Sequence, residues 1–164
     1  MTFYINIPNT QDIELAMEVA NHDFTVGKKD ICIEGSNYIV PDHVAIVKEN
    51  TAEYLGTVGK GWQPVQPNEI YELADELIQN TGGSINGAFN MFNGAVIGIS
   101  FNLAEREYIA GDLILLNFLM MTSFNGTHGI AGHATIQRNL NNVQANTSSK
   151  VYNEKHTKDV PDRP

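Results

Sequence analysis

Hydrophobic and polar positions repeat with two different periods along this chain, and each change of period marks a new element. Over 10–21, Ile13, Ala16, Met17 and Ala20 recur at helical spacing. Thr10 stands where an N-cap belongs, and Asp12 and Glu14 suit the positive end of the helix. Asn21-His22-Asp23 breaks that pattern. From Phe24 to Val58 the apolar residues come in short β-branched and aromatic clusters: Phe24-Thr25-Val26, Ile31-Cys32-Ile33, Tyr38-Ile39-Val40 and Val44-Ala45-Ile46-Val47. Gly27, Gly35-Ser36-Asn37, Pro41-Asp42 and Glu49-Asn50 separate them, which predicts short strands joined by turns. Tyr54 to Val58 is one more strand, ended by Gly59-Lys60-Gly61.

The clearest helix spans 67–80. Pro67 fits its first turn, and Glu69 and Glu72 suit its N-terminal half. Ile70, Leu73, Ala74, Leu77 and Ile78 form one apolar stripe, and Asn80-Thr81-Gly82-Gly83 stops it. Strand-like runs then follow at 85–92 and 95–103, joined by Asn93-Gly94, and at 113–122 and 129–140, joined around Asn125-Gly126. Asn-Gly between two such runs is a strong hairpin signal. Residues 141–156 are polar and read as a loose helix, and the proline-containing tail beyond them reads as extended. Strands, a helix, two hairpins and a further helix make an α+β order: a mainly antiparallel sheet with two or three helices on one face. The expectation is a single α+β domain over 1–158 and an extended tail over 159–164.

Composition sharpens this in few places. Hydrophobic residues make up 42% of 164, which supplies a core and argues against wholesale disorder. Cys32 is the sole cysteine, so no internal disulfide can form, and a buried small hydrophobe is its expected role. The longest apolar run, Leu113 to Met121, is interrupted by Asn117 and is strand-sized. The start, Met1-Thr2-Phe3-Tyr4, lacks the basic flank of a signal peptide. A soluble cytoplasmic protein with no membrane association is expected.

Charge is distributed unevenly. Residues 1–76 hold thirteen acids and four bases (Lys28, Lys29, Lys48, Lys60), whereas 77–164 hold six of each. Duplex binding draws on Lys and Arg neutralising phosphates, so the acidic half is a poor duplex footprint. It suits a solvated surface, a basic protein partner, or an acidic surface that mimics nucleic acid.

Chemistry-bearing motifs are sparse. Five histidines (His22, His43, His128, His133, His156) occur without a two-histidine helical zinc motif or a CxxC pair. His128 and His133 are five apart, an odd separation that on one strand places them on opposite faces. No metal site, cofactor or catalytic residue is expected; an enzyme would need Asp112, His128 and His133 to converge. Gly56, Gly59 and Gly61 lack the phosphate-loop frame and read as a turn, with Lys60 a solvated turn residue.

The stretch Ala45–Gln79 carries a resemblance. Leu55-Gly56-Thr57-Val58-Gly59, then Trp62-Gln63-Pro64-Val65-Gln66, then Glu69, with Gly111-Asp112 and Asn146-Thr147 downstream, resemble the phage/plasmid-like protein family, a domain of unknown function. The resemblance implies a protein of a mobile genetic element, acting in the cytoplasm of a bacterial host, and covers roughly residues 10–158. This chain departs from the family pattern at Ser123-Phe124-Asn125-Gly126-Thr127, where the family turn carries ionisable residues, and at Gln144, where the family has cysteine. It reads as a shortened or diverged member. Its element order is also similar to that of single-strand-annealing recombinases, a fold-level analogy that fixes no function.

Two functions follow as expectations. One is non-enzymatic binding or annealing of single-stranded DNA, or an accessory role to it, by an oligomer in which Arg106, Arg138 and Lys150 touch phosphate and Phe124 lies near by. The alternative is an acidic protein-interaction module for a host or phage protein, such as an inhibitor of a host defence system. Homo-oligomerisation, most easily through strand edges of the sheet, is expected in either case.

Overall fold

Alternation of apolar and polar residues begins at the N-terminus: Phe3, Ile5 and Ile7 interleave with Tyr4 and Asn6 in β1 (Thr2–Thr10). A computed structural model describes residues 2–103, 106–109, 112–140 and 143–154, with side chains for 3–103 and 114–136. The expected tail, 159–164, lies outside them. After β1 come α1 (Ile13–Ala20), β2 (Val26–Cys32), β3 (Ile39–Lys48), β4 (Tyr54–Gly59) and α2 (Pro67–Thr81). Then follow β5 (Ser84–Met91), β6 (Val96–Asn102), β7 (Arg106–Ile109), β8 (Asp112–Ser123), β9 (Ile130–Leu140) and β10 (Val143–Glu154). The larger antiparallel sheet runs β1-β5-β6-β8-β9-β10, with β7 also pairing β8, and a smaller one runs β2-β3-β4. The fold is α+β.

Both helices cover one face of the large sheet. Ile97, Ile99 and Phe101 alternate on β6 and are fully buried; Thr122, Met120 and Phe118 stand opposite them on β8. Phe101 and Phe118 stack with ring centroids 5.3 Å apart. Onto this face α2 lays Ile70, Ala74 and Ile78, and α1 lays Ala16 and Ala20, all fully buried. Burying a side chain of Ile size contributes roughly 1.5–3 kcal/mol, so these stripes, rather than helix propensity, hold α1 and α2 in place. The α2 ends follow local chemistry: Pro67 begins it and Gly82, at φ 77°, ends it in the left-handed conformation.

Several boundaries differ from expectation. The first helix starts at Ile13, not Thr10: Asp12 is its cap, its carboxylate accepting from the Leu15 amide at 3.1 Å, because β1 claims the chain through Thr10. Pro41-Asp42 does not end a strand. It sits in the register shift between Cys32↔Ile39 and Asp30↔Val44, where a proline without an N–H costs no ladder bond. Asp42, at φ 63°, turns its carbonyl to the Lys60 amide at 2.9 Å. Residues 143–154 form strand β10, not a loose helix, antiparallel to β9 over its length. Asn, Ser, Thr and Val are weak helix formers, and the outer edge of β9 supplies the ladder that they take instead.

Cys32 is exposed at the end of β2, not buried as expected. It is therefore expected to react with one equivalent of a thiol reagent in native buffer, without denaturant. Protection until unfolding, read by mass spectrometry, would contradict that placement.

Candidate functional site

Part of the stretch that carries the family resemblance packs at a seam between the two sheets. Gly56 of β4 lies against the turn after β8: a Cβ built at Gly56 falls 2.4 Å from the Asn125 Cα. Only a residue without a side chain allows the two backbones to approach this closely. Phe24 and Phe124 cross edge to face with centroids 5.9 Å apart, and the Lys48 ammonium lies 4.8 Å from the Phe24 centroid while pairing with Glu53 at 2.9 Å. Gln66 does two tasks. Its side chain grips both backbone groups of Val26, accepting at 2.8 Å and donating at 2.9 Å, and its backbone N–H donates to the Glu69 carboxylate at 3.0 Å. One residue thus pins β2 and starts α2.

The turn at this seam spends its polar groups on itself. Asn125 Oδ1 accepts from the Thr127 amide at 3.1 Å and its hydroxyl at 2.6 Å. The Ser123 hydroxyl donates to the His128 carbonyl at 2.6 Å and accepts from its amide at 2.9 Å. A group engaged in this way is not positioned as a nucleophile. Gly56 and Gly59 lie within β4 rather than in a turn, and Lys60 is an exposed residue after it whose carbonyl accepts from Lys28 Nζ at 3.0 Å.

A buried polar triad sits under the helices. His22 is fully buried. Asn90 donates from Nδ2 to the Ala20 carbonyl at 3.1 Å, which turns its Oδ1 to His22 Nε2 at 2.9 Å. Nε2 therefore carries the ring proton, and Nδ1 accepts from the Tyr71 hydroxyl at 2.7 Å. Burial pushes the imidazole down to about 4, outweighing the bond to Asn90, and pushes the Tyr71 phenol up. The triad ties α1, α2 and β5 together as a neutral, satisfied network.

The outer surface of the helix layer is different in kind. α1 carries Glu14 and Glu18; α2 carries Glu69, Glu72, Asp75 and Glu76; neither helix has a Lys or Arg. Among these acids stand two apolar pairs at i, i+4 spacing, Leu15 with Val19 and Leu73 with Leu77, each side chain 38–48% exposed. Comparison with protein-family models, curated proteins and solved structures gives no match.

The expected phosphate contacts separate. Arg106 and Arg138 both stand opposite Ile114 on β8, one on each side. Lys150 stands opposite His133, which stands opposite Leu119. Ile114 and Leu119 are five residues apart on an unbroken ladder, so the two register rows belong to opposite faces of the pleat. Phe124 is fully buried beneath Phe24 and offers no ring face to a base. Asp112 and Leu119, the residue opposite His133, are seven positions apart on β8, on the order of 23 Å along the strand. His128 lies beyond the far end of β8. Among the described residues no group of three or more His, Cys, Asp or Glu could hold a metal ion, and no helix is long and apolar enough to cross a membrane.

Sequence reasoning missed the helix surface. Leu73 and Leu77 share the apolar stripe of α2 with Ile70, Ala74 and Ile78, yet they are 38% and 40% exposed while the other three are fully buried. Spacing gives no warning of this: Ile70, Leu73, Ala74, Leu77 and Ile78 stand at the i, i+3, i+4, i+7, i+8 positions of an ordinary core-facing stripe, and only the packing of α2 leaves its Leu73/Leu77 flank open.

Proposed function

We propose that this chain is a non-enzymatic accessory protein of a mobile genetic element that works by binding a basic protein partner on its helix face. The observation that carries this reading is the pairing of Leu15/Val19 and Leu73/Leu77 with six carboxylates and no base on the same two helices. A face serving solubility alone has no use for two exposed apolar pairs one turn apart. Together they match an amphipathic surface bearing Lys or Arg: apolar contacts supply affinity, and the acids speed encounter and reject acidic competitors. Inhibition of a host defence protein with a basic surface fits this chemistry.

A second reading keeps one observation of its own. Arg106 and Arg138 share a register row two strand spacings apart, about 10 Å, a placement suited to two phosphates of a single strand.

Affinity capture from host lysate, with wild type and the double variant Leu73→Ser/Leu77→Ser side by side, separates the readings. The expected result is a stoichiometric basic protein, held less tightly as salt rises, whose affinity the variant lowers at least tenfold, about 1.4 kcal/mol. Both leucines are more than half buried, so the variant should lose roughly 1–3 kcal/mol of stability and remain folded, which circular dichroism checks before the capture is read. Binding of a fluorescent single-stranded oligonucleotide that Arg106→Gln/Arg138→Gln abolishes, with no protein partner retained, would replace the first reading by the second.

A further inference from the structure

The large sheet ends in two open strands. Among the described residues nothing pairs with β1 on the side away from β5, or with β10 on the side away from β9. Soluble proteins blunt such edges with lysines, prolines, bulges or covering loops, because a free row of N–H and C=O groups templates another strand. In the small sheet one edge, β2, follows that rule with Lys28, Lys29 and Asp30 and with the Gln66 amide on both backbone groups of Val26, and the other edge, β4, lies against the β8–β9 turn at Gly56. β1 does not. Its nine residues contain no charge, and its one blunting device, Pro8 in the register shift between Asn6 and Thr10, leaves Thr2 to Ile7 open. Phe3 and Tyr4, on alternate sides of that segment, are 56% and 60% exposed. β10, twelve residues long, holds one Lys and one Glu.

Strand direction decides how a second copy fits. Every neighbouring pair along β1-β5-β6-β8-β9-β10 is antiparallel. Six alternating strands leave the two outermost running in opposite directions. A copy set beside another in the same orientation therefore brings β1 against β10 antiparallel, and the alternation continues without a break. An odd number of strands would have forced a parallel joint, which is less stable per residue.

We propose that this protein self-associates head to tail, the open segment Thr2–Ile7 of one copy pairing with β10 of the next. The contact is heterologous, so it closes into a ring or extends into a filament rather than stopping at a dimer. Phe3 and Tyr4 then lie over the neighbouring strand, one on each face of the joint, as cross-strand aromatics do. The helix face takes no part, so this association stands or falls separately from the partner binding proposed above.

Two single-cysteine proteins test it, both in a Cys32→Ser background: Asn6→Cys on β1 and Ser148→Cys on β10. A short bis-maleimide, tolerant of a small register offset, is added to each alone and to an equimolar mixture. Head-to-tail pairing predicts a covalent dimer in the mixture and little in either alone. It also predicts a ladder of oligomers from the protein carrying both cysteines. Dimers from Asn6→Cys alone would show a two-fold β1–β1 joint and overturn the proposal, as would monomers in every arm. Light scattering after size exclusion provides the second readout: wild type should grow with concentration, and Phe3→Lys should raise the concentration needed at least tenfold. Unchanged association in Phe3→Lys would also count against the β1 joint.

Discussion

Lowering the pH from 7 to 4 should remove about 3 kcal/mol of folding stability through His22 alone. The imidazole titrates near 6.5 in an unfolded chain and is held at about 4 in the folded one. Between those values the unfolded state binds more protons, so stability falls as pH falls, and the loss is complete below about 4. A gap of this size corresponds to about 3 kcal/mol. The cause is the site: burial is the dominant influence, and both ring nitrogens are already committed, to Tyr71 and Asn90. Protonating Nδ1 would place a second hydrogen against the Tyr71 hydroxyl, whose own proton then has to turn away into the core. Urea unfolding at half-unit steps between pH 7.5 and 4 checks this, with His22→Gln as the comparison. The variant should be less stable at pH 7 and lose less between pH 6.5 and 4. Parallel curves for the two proteins would show that His22 is not the group responsible.

The second large effect belongs to Gly56. Gly56→Ala should cost roughly 3 kcal/mol, at the upper end of what overpacking a tight contact usually costs. The obstacle is backbone and cannot rotate away: the new Cβ meets the Asn125 Cα at 2.4 Å and the Phe124 carbonyl oxygen at 3.2 Å. Relief requires the small sheet to move off the β8–β9 turn, which opens the Phe24–Phe124 contact as well. Gly61→Ala is the matched control, because a Cβ there meets nothing within 4 Å. It should change stability by less than about 0.5 kcal/mol. Equal chemical-denaturation midpoints for the two variants would mean that the seam is looser than the structure has it.

These two sites bear on the Ala45–Gln79 stretch, which the sequence presents as its most distinctive part. Leu55, Gly56 and Val58 pack the small sheet, and Gln66 couples β2 to α2. Its regularity has a folding explanation, and the candidate interaction surface lies partly outside it.

Local physics made much of the fold legible. Pro67, Glu69 and Gly82 mark α2 wherever the chain goes, because capping and turn chemistry act within a few residues. The two Asn-Gly turns mark hairpins for the same reason. Binary pattern with these punctuators was enough to determine the α+β class.

What local pattern could not decide was whatever needed a distant partner. β10 is polar enough to pass for a loose helix and becomes a strand because β9 presents an open edge beside it. Cys32 has a buried-type side chain and is exposed because β2 ends there. Phe124 is an ordinary aromatic in a turn until Phe24, a hundred residues earlier, covers it. His22 breaks a helix pattern in the sequence, and only α1, α2 and β5 together turn it into a buried neutral imidazole. The chain's own propensities set its elements. Which side of each element meets water was set by tertiary packing, because burial depends on neighbours that sequence separation hides.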